Sequence, residues 1–160
     1  QSWHAAPTSS VFSLGADGSS YSGTYNNNQD YIAYVWCDIP GLQKFGNYVA
    51  NGSADGNFIE LGFRPAILWI KATGSYSPGN WFCHDRERDT FNPTAGSLQL
   101  DSSNAEDTLG SGYYVDFLSN GFKLRANGNG ENGASGNTYI YAAWAESPTV
   151  NLFGAQSNAR

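Results

Sequence analysis

Between residues 45 and 71, three strand-length apolar runs are separated by turn residues, a pattern that confines this part of the chain to antiparallel sheet. Residues 45–50 form the first run, and Asn51-Gly52-Ser53-Ala54-Asp55-Gly56-Asn57 supplies turn chemistry before residues 58–63 return. In the returning run Ile59, Leu61 and Phe63 fall on one side and Glu60 on the other, the period-2 mark of a half-buried strand. Arg64-Pro65 interrupts, and residues 66–71 (Ala-Ile-Leu-Trp-Ile-Lys) make a fully apolar strand.

The same signals recur along the chain. Residues 11–14 read as a short first strand, followed by a polar loop over 15–30 that carries Asp17-Gly18 and three consecutive Asn. Residues 31–36 (Tyr-Ile-Ala-Tyr-Val-Trp) form an apolar run of strand length, expected to be a central strand and closed by Asp38-Ile39-Pro40-Gly41. Residues 81–85 read as a strand, and 97–100 as a brief edge strand within an irregular polar stretch over 86–112. Residues 113–118 and 121–126 form a hairpin over Ser119-Asn120, residues 127–137 a Gly/Asn-rich loop that cannot hold a helix, and residues 138–145 the last core strand. The last strand echoes 31–36 (Tyr139-Ile140-Tyr141-Ala142-Ala143-Trp144), which points to two equivalent, neighbouring central strands.

Composition agrees: aromatics reach 15% and charged residues only 14%, against roughly 25% charged in ordinary domains. Roughly nine strands without a helical period predict an all-β chain, an antiparallel β-sandwich or jelly roll. The expected organisation is a connector over 1–10, one sandwich domain over 11–146 and a tail over 147–160. The sequence contains no Met, so it is expected to continue a longer or processed polypeptide.

Several functions are disfavoured. Net charge is −6, and the 8 Lys and Arg do not cluster, so there is no basic footprint for nucleic acid. No run approaches the roughly 20 apolar residues of a membrane-spanning helix. Cys37 and Cys83 permit a disulfide without requiring one, and the plainer reading is two small buried hydrophobes. With His4 and His84 they show no familiar zinc spacing. Asp17, Asp55 and Asp101 lie in loops able to hold calcium but lack the calcium-loop spacing, so no cofactor is indicated. Asp85-Arg86-Glu87-Arg88-Asp89 offers carboxylates, but two on one strand end rarely span a glycosidic bond, and alternating signs fit surface ion pairing. No Gly-x-Ser-x-Gly elbow occurs, so no catalytic residue is assigned.

The aromatics carry the binding expectation. Trp36, Trp69 and Trp144 lie within apolar strands and are expected in the core. Tyr76 and Trp81 border the loop over 73–80, and Tyr113 follows a Gly-rich turn. Rings beside Asn, Asp and Gly suit stacking on a sugar face, with amides and carboxylates taking the hydroxyls. The candidate ligand-binding residues are therefore Tyr76, Trp81, Asp85, Arg86 and Tyr113.

The run Gly46-Asn47-Tyr48-Val49-Ala50-Asn51-Gly52-Ser53-Ala54-Asp55-Gly56, with Leu61-Gly62-Phe63-Arg64-Pro65-Ala66 and Trp69-Ile70-Lys71, resembles a domain recurring in tail-fibre and other virion structural proteins of marine, cyanophage-like bacteriophages. The likeness continues through Asn80-Trp81, residues 85–89, Ser103-Asn104-Ala105-Glu106, residues 117–124, Asn132-Gly133, Ser135-Gly136, residues 138–141 and Ala145-Glu146. The 117–124 hairpin is also similar to concanavalin-like sandwiches. The resemblance implies a receptor-binding domain of a phage tail fibre or spike, located on the virion and attaching it to a bacterial surface glycan or outer-membrane feature. It further implies contact with other virion proteins and a homotrimer. The alternatives are a capsid decoration domain, a polysaccharide-degrading depolymerase tip and a carbohydrate-binding module of a secreted enzyme.

Overall fold

The computed structural model describes residues 8–12, 32–73, 79–106, 112–128, 130–133 and 135–147. The chain divides into two units, Gln1–Trp36 and Cys37–Arg160. Among the described residues there is no helix, and the strands are β1 (Gln43–Val49), β2 (Phe58–Glu60), β3 (Pro65–Ala72), β4 (Phe82–Asp85), β5 (Leu98–Gln99), β6 (Val115–Leu118), β7 (Gly121–Leu124) and β8 (Thr138–Ala145).

All eight strands lie in the second unit. They form two antiparallel sheets, one of five strands in the order β1-β8-β3-β4-β5 and one of three in the order β2-β7-β6. The expected all-β sandwich is observed, and β5 lies at the sheet edge as expected. Alternation sets the inner faces: Leu68, Ile70 and Ala72 of β3 and Tyr139, Tyr141 and Ala143 of β8 meet Val115, Phe117, Phe122 and Leu124 of the smaller sheet in one cluster. The paired β1 residue Gly46 lets the Tyr141 ring lie across it; a Cβ there would sit 2.7 Å from the phenol oxygen. Tyr48 stacks on Tyr139 at 5.3 Å and meets Phe122 edge-on at 6.4 Å, linking the two layers.

Three strands cannot cover five. Part of the inner side of β4 is filled instead by residues 130–133, from the Gly/Asn-rich stretch that composition marks only as a loop. Gly130 packs on Phe82 and Tyr113, where a Cβ would fall 2.6 Å from the Phe82 ring, so no side chain fits without displacing the rings. This close passage brings Glu131 to His84, and the His84 Nε2 and Glu131 Oε1 atoms form a short contact between two fully buried side chains. Tyr48 Oη donates to the Glu131 carbonyl at 2.5 Å. Burial, with the Glu131 charge adding to it, holds the Tyr48 phenol well above the ordinary tyrosine range, so it remains a donor. Asn132 ties the same segment down, donating to Asn51 Oδ1 at 2.9 Å and to the Ser53 carbonyl at 2.8 Å.

The first unit departs from expectation. Residues 32–36 form no strand, and Ile32, Tyr34 and Val35 are exposed. Tyr34 and Trp36 instead stack on each other at 6.0 Å. The run has strand composition, but among the described residues none of 32–36 is assigned to a strand, so the echo with β8 does not reflect paired central strands. Val11 and Phe12 are likewise in no strand and are exposed, Val11 exchanging hydrogen bonds with Thr8 at 2.8 and 3.1 Å, and residues 13–14 lie outside the described residues.

The buried pair gives a stability prediction. Glu131→Ala leaves a buried imidazole without its partner and is expected to cost about 3–5 kcal/mol in urea denaturation. The double substitution His84→Phe with Glu131→Leu should recover much of that loss, because it removes both buried polar groups together. An unchanged urea midpoint for Glu131→Ala would show that the pair does not hold the loop.

Candidate functional site

The outer faces of the sandwich differ in chemistry. On the three-stranded sheet, Lys123 of β7 pairs with Asp55 at 2.6 Å, and Arg125 reaches Asp116 of β6 at 3.3 Å. The hydrogen bond from Lys123 holds the Asp55 carboxyl below its usual range. This is an ordinary solvated face.

The outer face of the five-stranded sheet is aromatic. Phe45 of β1 meets Trp144 of β8 edge-on at 5.7 Å, Trp144 meets Trp69 of β3 at 4.8 Å, and Trp69 meets Trp81 at 6.5 Å. These four rings form a file across the sheet. Trp69 and Trp144 were expected in the core, yet they belong to the opposite face: Trp69 lies between Leu68 and Ile70, both 0% exposed, so alternation turns the indole outward. Its register neighbours Ala142 and Cys83 are small and leave room for the indole beside them. Trp36, also expected in the core, is 49% exposed.

At the β4 margin the file ends in polar groups. Trp81, immediately before β4, is partly exposed. Its backbone N–H donates to Asp101 Oδ1 at 3.1 Å, and Lys71 Nζ lies 5.5 Å from its ring centroid and 3.7 Å from Asp101 Oδ2. Lys71 also donates to the Gly79 carbonyl. Beside them Gln99 Oε1 accepts from Asn80 Nδ2 and from Asn104 Nδ2, both at 2.9 Å. The Gln99 amide donors and the Asn80 and Asn104 side-chain carbonyls make no hydrogen bond among the described residues.

The sequence-predicted site residues do not converge. Trp81 is in this corner. Asp85 ends β4 and Arg86 follows it, both in an ion-pair network: Arg88 bridges Asp85 at 3.2 Å and Glu106 at 2.6 Å, and Arg86 reaches Glu146 at 2.8 Å. Asp89 caps the following turn, accepting from the Ala95 and Gly96 backbone at 2.6 and 3.1 Å. The alternating charges of residues 85–89 are thus spent on neighbours, as the surface-pairing reading expected. Tyr113 stacks on Phe82 at 4.7 Å, on the inner side of β4, and so is separate from Trp81. Tyr76 lies outside the described residues. Sequence reasoning missed Lys71, Gln99 and Asn104, and it weighed Asp101 only as a calcium-loop residue. Asn80-Trp81 was the single local signal for this corner.

Both cysteines are free thiols. Cys83 is buried as expected; Cys37 is exposed, because the run that precedes it is not a strand. Burial pushes the Cys83 thiol up, opposed by a hydrogen bond with the Trp69 side chain and by Arg88, and reinforced by Asp85. Among the described residues no three His, Cys, Asp or Glu side chains gather as a metal site. No helix of the described residues is long and apolar enough to cross a membrane.

Comparison with known families adds one result: residues 1–148 match the family described as Domain of unknown function (DUF7483). The chain belongs to the DUF7483 family. No curated protein and no solved structure matches it. The aromatic file and its polar corner, both within the matched residues, are therefore a candidate site for this DUF7483 domain on physical grounds alone.

The thiols provide a check on the geometry. In the native protein iodoacetamide is expected to modify Cys37 and to spare Cys83, whose buried thiol is held protonated, until urea unfolds the domain. Mass spectrometry after brief alkylation reads this directly, and equal native labelling at both positions would show that the outer side of β4 is open.

Proposed function

We propose that the domain is a receptor-binding module of a phage tail fibre or spike, attaching the virion to a bacterial cell-surface glycan or outer-membrane feature without catalysis. The observation that carries this reading is the aromatic outer face of the five-stranded sheet, set against a charged face on the opposite side. Ordinary antiparallel sheets turn a polar face to water, and contiguous apolar surface marks a place of contact. A half-buried ring file ending in amides, a carboxylate and an ammonium suits a ligand with both apolar faces and hydroxyls.

The likeness to virion structural domains supplies the setting: location on the virion, neighbours among other fibre proteins, and a homotrimer that presents the same face three times. Within that reading the sandwich is a concanavalin-like jelly roll. Multivalency would convert weak single-site contacts into firm attachment.

The test is competition. Fluorescently labelled domain is expected to bind saturably to some members of a panel of marine bacteria and cyanobacteria, and to slow adsorption of a phage whose fibre carries the domain. Undiminished adsorption at saturating protein would sink the proposal. Copurification with capsids at many copies per particle would favour a decoration role instead.

A further inference from the structure

We propose that the corner formed by Trp81, Lys71, Asp101, Asn80, Gln99 and Asn104 is a subsite for one uncharged hexopyranose. This builds on the reading of the aromatic sheet face as the receptor-contact surface, and it names the chemistry taken at one end of that face.

A pyranose presents an apolar patch of C–H bonds and a rim of hydroxyls, each both donor and acceptor. The corner offers the complement. Trp81 supplies a partly exposed indole braced by Trp69 edge-on at 6.5 Å and by Lys71 at 5.5 Å from the ring centroid. The ring face turned away from the ammonium is the one on which a sugar stacks. Around the ring, the Gln99 amide donors and the side-chain carbonyls of Asn80 and Asn104 are fixed by the two 2.9 Å bonds to Gln99 Oε1, and among the described residues those donors and acceptors make no other hydrogen bond, which suits them to hydroxyls. Asp101 is held through the Trp81 backbone N–H at 3.1 Å, so its carboxylate is set in place before any ligand arrives.

Charge selects among sugars. Lys71 is already matched by Asp101 at 3.7 Å and by the Gly79 carbonyl, so the corner has no spare cation for a uronate or sialate. Asp101 itself repels a second carboxylate, and the chain as a whole carries −6. An acidic sugar would bring a charge that nothing in the corner compensates.

The experiment follows the tryptophan indole N–H resonances of the isotopically labelled protein during titration with D-glucose, D-galactose, D-mannose and N-acetyl-D-glucosamine, with D-glucuronate and N-acetylneuraminate as charged probes. At least one uncharged sugar is expected to shift the Trp81 indole saturably. Trp81→Ala and Asp101→Asn should each weaken that binding by about tenfold or more, while Arg125→Ala on the opposite face leaves it unchanged. Gln99→Ala keeps the ring and removes the amide hub, so a loss of binding with an unchanged urea midpoint separates recognition from folding. The proposal is overturned if no uncharged sugar gives a saturable shift, if only the charged probes do, or if the shift survives Trp81→Ala. Comparing wild type and Trp81→Ala on whole cells keeps the two readings apart. Equal cell binding by both overturns the subsite while attachment stands, and saturable sugar binding at Trp81 by a domain that binds no cells supports the subsite and overturns attachment.

Discussion

The sandwich depends on a mismatch of width. A sheet of five strands faces a sheet of three, and the inner side of β4 would be left with unfilled space if only strands packed against it. Residues 130–133 fill part of it, and they do so with a backbone close enough that glycine is required at position 130. Polar groups then enter a region that strands would have lined with Leu or Phe. The His84–Glu131 contact, the Tyr48 hydroxyl on the Glu131 carbonyl and the Asn132 amide satisfy most of them. Among the described residues His84 Nδ1 and Glu131 Oε2 have no hydrogen-bond partner. A buried pair of this kind adds little net stability over an apolar filling, yet losing one member is costly, so it selects one placement of the loop over others.

That placement reaches the surface through β4. His84 and Phe82 are fixed from below, by Glu131 and by Tyr113 with Gly130, and the alternation of a strand fixes Cys83 above. Trp81 precedes this strand and inherits its position. The indole of Trp69 then lies beside Cys83 and meets Trp81 edge-on, so the buried loop and the outer ring file are two sides of one short strand. Edge-to-face pairs contribute roughly 0.5–1.5 kcal/mol each beyond their area, enough to keep half-buried tryptophans ordered on a sheet surface. A surface built this way is set before a ligand meets it, and it spares the ordering cost that flexible side chains would incur.

What could be read from sequence follows the range of the interactions. The alternation in residues 58–63, the apolar run that became β3, the hairpin over Ser119-Asn120 and the boundaries of β8 all rest on neighbours close in the chain, and each was legible. Residues 31–36 show the limit. Three of their six positions (Tyr31, Ile32 and Trp36) repeat the residues at 139, 140 and 144, but strand preference is a preference for a pleated, half-covered surface, and residues 32–36 are in neither sheet among the described residues. A continuous apolar run also conceals which face is core: in β3 both faces are apolar, so Trp69 reads as buried although Leu68 and Ile70 take the inner side. The loop over 127–137 was illegible for the converse reason. Glycine and asparagine mark turns wherever they occur, and nothing local shows that Glu131 meets a histidine 47 residues earlier.

The candidate site separates conspicuous charge from available chemistry. Residues 85–89 hold the densest charge in the sequence, and each of their longest reaches ends on a protein partner: Arg88 on Glu106, Arg86 on Glu146, Asp89 on two backbone amides. A ligand arriving there would have to displace those bonds, and exchange of one ion pair for another in water yields little. The corner around Trp81 has weaker groups and a better position. Among the described residues its amides are anchored at one end only, its carboxylate is fixed by a backbone donor, and its ring is braced on one side by a cation. Recognition of a neutral, hydroxyl-rich ligand needs polar atoms that are held in place yet not fully used. By that criterion the Trp81 end of β4 suits the proposed ligand better than the Asp85 end, which is the clasp that ties the strand to the loops around it.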